Sequence, residues 1–175
     1  MEQLIPELQF KPESEQFITA TDEYVKIWNE EGEKIVQTLQ EISGLNFKQT
    51  KIEVIVYEGI SDSGIKSRPM KLRASYPSDV KKATVVHELG HRLLGGNGLA
   101  QFEDDVRPLE GHKQLFLFLY DVWTQLYGEE FAKKNVEIES GRQAFYKEAW
   151  DWALAFDKDE RKAELKKLLA NVQGK

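Results

Sequence analysis

His87-Glu88-Leu89-Gly90-His91 puts two imidazoles and a carboxylate into one short stretch. On a helix, residues four apart stand on one face about one turn apart, so His87 and His91 can reach the same point. Two imidazole nitrogens meeting at a point are the start of a metal site, and zinc is the ion such ligands most commonly hold. Glu88, directly after the first histidine, sits beside that metal without being forced to bind it. Two nitrogen ligands, an open position for water and a carboxylate to take the water's proton are the parts of a zinc hydrolase, with Glu88 as general base. The competing reading is an amphipathic helix that happens to carry two surface histidines and a glutamate.

A catalytic zinc needs three protein ligands. The helix expected after the motif offers Glu110, His112 and Asp121. At about 100° per residue these three do not share a face. With His112 as origin, Phe116, Leu119, Trp123 and Leu126 fall close around it, while Glu110 and Asp121 lie opposite with Gln114, Thr124 and Gln125. Helix geometry therefore favours His112, which is also the only other histidine in the chain, and leaves Glu110 as the alternative. Asp121 is then either a solvated residue on the helix back or an acceptor for the outer N–H of a ligand histidine. Tyr127, Tyr146 and Arg142 are the candidates to stabilise a developing oxyanion, against the alternative that tyrosines in aromatic-rich helices are core.

These side chains require a scaffold, and the composition bounds it. The chain has 175 residues, 41% of them hydrophobic and 11% aromatic, which suits one globular domain with a real core. The absence of cysteine leaves histidine and carboxylate as the only strong metal ligands and excludes disulfides and thiol nucleophiles. A net charge of −6 argues against a nucleic-acid partner and gives a slight preference for basic substrates. Residues 1–12 lack the basic and apolar regions of a signal peptide, and the longest apolar run, Leu115 to Tyr120, is too short to span a bilayer. A soluble, cytoplasmic protein with no membrane partner is the expectation; the oligomeric state is left open.

Residues 1–12 read as an irregular lead-in. From Ser14 to Ile42 apolar residues recur at three and four, predicting one long helix or two, with Gly32 the weak point and Gly44 the terminator. Ile52, Val54 and Val56 alternate with Lys51, Glu53 and Ile55, which predicts a strand. Met70, Leu72 and Ala74 predict a second, at a sheet edge. Pro77-Ser78 opens the motif helix, with Ser78 as N-cap, and Gly95-Gly96 ends it. A flexible acidic segment follows at Gln101 to Asp105. Helices are expected from about Val106 to Tyr127, near Glu129–Glu139, and from Gly141 to Phe156. A last helix opens on a capping box formed by Asp157 and Glu160. The fold class is α+β, a small sheet of few strands beside five or six helices in a single domain, 1–175.

Through His87-Glu88-Leu89-Gly90-His91, the chain resembles the zincin clan of metallopeptidases. The order of strand pair, motif helix and ligand-bearing second helix, over about residues 51–127, is similar to that clan's core. Eighteen residues separate His91 from Glu110, the spacing of the gluzincins, whose small peptidases are nearest in size; Gly111 matches an aminopeptidase feature, whereas Leu109 replaces the expected Asn. Leu94 and Asn97 stand where metzincins carry Gly and a third His. The resemblance implies Zn2+ as cofactor, a peptide or protein as substrate, and alignment of an extended peptide along the edge strand Met70–Ser75. Three alternatives remain: a zinc-binding module without catalysis, a zinc hydrolase acting on a non-peptide amide or ester, and a metal-independent helical protein.

Overall fold

The computed structural model describes residues 4–64, 68–99 and 108–173. Its sheet has three parallel strands in the order β1-β2-β3: Glu7–Pro12, Lys51–Tyr57 and Met70–Arg73. Register pairs Phe10 with Val54 and Val54 with Met70, so one face of the sheet collects Leu8, Ile52, Val54, Val56, Met70 and Leu72, all buried. The central strand β2 is the most apolar of the three, with Ile52, Val54 and Val56 on its buried face. β1 corrects the irregular lead-in expected at residues 1–12. Prolines at 6 and 12 hide it in the sequence, yet both sit at the ends of an outer strand, where a missing N–H is tolerated.

Helix α1, Ile18–Ser43, crosses between β1 and β2. It runs unbroken through Gly32, where the hydrogen in place of a side chain makes room for the Trp28 ring. Gly44 ends it at φ 72°, returning its N–H to the Gln40 carbonyl. Helix α2, Ser78–Gly96, carries the motif and is buried along most of its length. The N-cap is Pro77 rather than Ser78, and no side chain caps it; Asp79 instead accepts the Val80 N–H. At the other end the helix runs through Gly95-Gly96 and stops at Asn97. The Asn97 amide donates to the Leu93 and Asn46 carbonyls.

Helix α3, Pro108–Tyr127, packs across α2. A Cβ at Gly90 would lie 2.4 Å from Leu115 Cδ1, so the absence of a side chain inside the motif lets the two helices approach at the level of the histidines. The expected start at Val106 and the acidic segment 101–105 lie outside the described residues. Gly128, at φ 94°, separates α3 from α4, Glu129–Ser140; α5, Ala144–Leu154, and α6, Lys158–Gln173, follow. The capping box of α6 forms reciprocally: Glu160 N–H donates to Asp157 at 2.9 Å, and Asp157 N–H to Glu160 at 2.8 Å. A single buried cluster extends from Leu8 in β1 to Leu165 in α6. The class is α+β. Among the described residues no helix is long and apolar enough to cross a membrane.

Candidate metal centre

His87 and His91 project from consecutive turns of α2, and α3 brings His112 to meet them. Ring centroids lie 5.0 Å apart for His87 and His91, 5.3 Å for His87 and His112, and 4.8 Å for His91 and His112. One ligand nitrogen from each of the three falls within 4.8 Å of the others. His91 Nε2 and His112 Nε2 are 3.3 Å apart. Tetrahedral zinc with Zn–N bonds of 2.0–2.1 Å separates adjacent ligand nitrogens by about 3.3 Å. Three imidazoles suit that ion in kind, and the His91–His112 pair matches it in spacing, while the full set of three lies within the wider limit of 4.8 Å.

The outer nitrogens are committed in the way a metal site needs. His87 Nδ1 donates to Glu139 Oε1 at 2.7 Å, and the other oxygen of that carboxylate accepts Trp150 Nε1–H at 3.0 Å. His112 Nδ1 donates to the Pro108 carbonyl at 2.6 Å. These bonds orient the rings and leave Nε2 of both residues facing inward. Glu139 was not foreseen. Its signal in the sequence is its place on the buried stripe of α4, after Ala132 and Asn135, where a carboxylate needs a partner.

Two expectations for α3 are corrected. Asp121 does not support a ligand histidine: nine residues beyond His112, and so about 14 Å further along the axis, it receives Arg161 Nη2 at 2.8 Å and Nε at 3.1 Å. Glu110 is exposed on the face away from the histidines, with Lys113 3.9 Å away. Tyr127 is corrected as well. It donates to Glu31 of α1 at 2.7 Å and has no part in the cleft at the motif.

That cleft holds about 280 Å3 and is lined by His87, Glu88, Glu139, Tyr146, Arg142 and Tyr76 among others. Tyr146 lies 4.6 Å from the His112 ring centre and 6.0 Å from that of His87. Ile60 and Ser61 form part of its rim. This rim changes the expectation of a free β3 edge. Lys71 exchanges both backbone hydrogen bonds with Asp62, and Arg73 N–H donates to Ser61 Oγ at 3.1 Å. The chain's own segment occupies the outer edge of β3, so a peptide cannot pair with those groups.

Burial dominates the electrostatics. It pushes the Glu88 carboxyl up to about 7, with His87 pulling the other way. It also drives His91 well below the usual histidine range and His112 down to about 4, and the neighbouring imidazoles add to both. For His87 burial is outweighed by the charge and hydrogen bond of Glu139, so its pKa rises; the Glu139 carboxyl falls correspondingly, against its own desolvation.

Metal-free stability should depend on pH accordingly. Unfolded histidines take protons near the ordinary value of 6.5, whereas folded His91 and His112 refuse theirs until lower. Each therefore weakens the folded state as pH falls below 6.5. Glu88, protonated up to about 7 when folded but only near 4.5 when unfolded, acts in the opposite sense. His87 is charged in both states below 6.5 and is neutral in this balance. Two protons oppose one, so stability is expected to fall between about pH 6.5 and 4.5 with a slope of about one proton. Melting in chelator across that range checks this; a midpoint that rises on acidification overturns it.

Glu139→Gln keeps the shape of the His87 support but removes its charge. Zinc affinity is expected to fall by about 10- to 100-fold while the fold is retained, measured by competition with a chromophoric chelator. Unchanged affinity would mean that the Glu139 contact is packing alone.

Compared with protein-family models, curated proteins and solved structures, the chain matches none.

Proposed function

We propose that the chain is a zinc-dependent hydrolase of peptide bonds, a zincin-like peptidase acting in the cytoplasm with Glu88 as general base. The observation that carries the reading is the convergence of His87, His91 and His112, two of them 3.3 Å apart at Nε2, beside a buried glutamate that binds none of them. His87, His91 and His112 would hold the metal. Zinc bound there supplies a Lewis acid that polarises a carbonyl and lowers the pKa of water toward 7.

The rest falls to the chain's own groups. Glu88, desolvated and near neutrality in its proton affinity, accepts a proton from the attacking water and later returns it to the leaving amine. Tyr146, whose hydroxyl burial keeps protonated, lies in the same cleft and, like Arg142, is a donor available to a developing oxyanion. Glu139 holds the His87 ring in register from behind. Water is kept from the rear of the site by the Phe116 and Trp150 rings, stacked 3.7 Å apart.

The test is elemental analysis joined to an assay. Purified protein is expected to carry about one zinc per chain, to lose it and its peptide cleavage to chelator, and to regain both on adding zinc. Zinc retained with no cleavage across a peptide library would replace the proposal with that of a binding module. Cleavage of ester or non-peptide amide substrates alone would move the activity to that class. No metal, and no thermal shift on adding it, would remove the zinc reading altogether.

A further inference from the structure

The cleft beside Glu88 carries a cation without a dedicated counterion. The Arg142 guanidinium lies over the Tyr76 ring, 4.7 Å from its centre, and among the described residues it makes no ion pair and no side-chain hydrogen bond. Arg73 approaches the same ring at 5.5 Å but is already neutralised by Glu58, whose Oε1 it meets at 2.6 Å. The two carboxylates nearest the motif are committed: Glu139 to His87 and Trp150, Glu88 to the proton transfer proposed above. Arg142 is close enough to lower the proton affinity of Glu88, Glu139 and Tyr146, which places its charge in the field of the site.

We propose that Arg142 forms a carboxylate-binding subsite of the cleft, so that the enzyme selects peptides with an acidic side chain or a free C-terminal carboxylate close to the scissile bond. The proposal rests on the peptidase reading and adds the substrate class. A guanidinium held through its contact with a ring keeps its N–H donors for a planar, bidentate partner, and a carboxylate matches that fork. The ring contact also limits the motion that binding would otherwise have to freeze. Ile60, 70% exposed and lining the same cleft, adds an apolar surface for a neighbouring side chain. The whole-chain charge of −6, which by itself favours basic substrates, is here overridden locally.

The test uses zinc-loaded protein and a set of fluorescent alanine-based octapeptides containing one leucine. Glu, Gln or Lys is stepped through each position, and every peptide is made as free acid and as C-terminal amide. Cleavage is measured on the wild type, and binding by anisotropy on Glu88→Gln, which separates the two proposals. At one position or at the C-terminus, a carboxylate is expected to improve kcat/KM and Kd by about 10- to 100-fold over its neutral counterpart. If amidation removes the gain, the C-terminus is the ligand; if amidation has no effect, it is the side chain. Adding Arg142→Gln should abolish the discrimination, and Arg142→Glu should invert it toward Lys. Arg142→Met, which keeps the aliphatic contact with Tyr76, replaces the Gln variant should that fold poorly. Discrimination below about threefold at every position, or discrimination that survives loss of Arg142, overturns the subsite. Absence of cleavage with carboxylate-dependent binding intact would refute the peptidase and leave the subsite standing.

Discussion

Glu88→Gln is expected to lose peptide cleavage by about 10²- to 10⁴-fold while keeping its zinc and its melting temperature. The substitution preserves volume at a residue that is 5% exposed, so no cavity or overpacking follows. It removes only the ability to accept a proton. Stability should not suffer, because burial already disfavours the ionised form and raises its pKa to about 7. Cleavage rates, metal content and thermal melting measured on one preparation make the test decisive. Full activity in the zinc-loaded variant would sink the mechanism. Loss of zinc together with activity would reassign Glu88 as a ligand.

The second large effect separates two candidates two residues apart. His112→Ala is expected to weaken zinc binding on the order of 10²- to 10³-fold. Four-ligand structural zinc sites bind with roughly 10–16 kcal/mol of apparent free energy, hence about 3 kcal/mol for each ligand. Glu110→Ala should leave zinc affinity unchanged and shift stability by no more than about 0.5 kcal/mol, as an exposed residue with one weak ion pair would. Chelator competition on both variants gives the comparison. The reverse ranking would mean that α3 rotates to present its other face to the metal, and would overturn His112 as a ligand.

The parts of the molecule readable from the chain are those governed by a few consecutive residues. The His87–His91 pair shares a face because the helix period is local. His112 is separable from Glu110 because a two-residue offset, about 200° of helix, sends them to opposite sides, and the exposed position of Glu110 agrees with that. The capping box at Asp157 and the glycine stops at Gly44 and Gly128 are equally local: each depends on a backbone conformation or a hydrogen bond spanning at most four residues.

What escaped depends on chain segments far apart in sequence. β1 ends on Pro12, follows directly on Pro6 and has little apolar content, and becomes a strand only because Lys51–Tyr57 offers its edge across the whole of α1. Asp121 was a reasonable support for a histidine until Arg161 arrived from a helix forty residues later. Glu139 is one of 21 glutamates; only the packing of α4 and α5 on α3 and on each other turns it into the acceptor for His87 and Trp150. The covered edge of β3 likewise depends on a return of the loop at Ser61 and Asp62.

The chain alone therefore determined which groups can do chemistry and on which helical faces they stand, since backbone hydrogen bonding repeats over a few residues. Which of those groups meet, what supports them from behind and what charge waits in the cleft were decided by tertiary packing. Those contacts join residues tens of positions apart, and a local pattern carries no record of them.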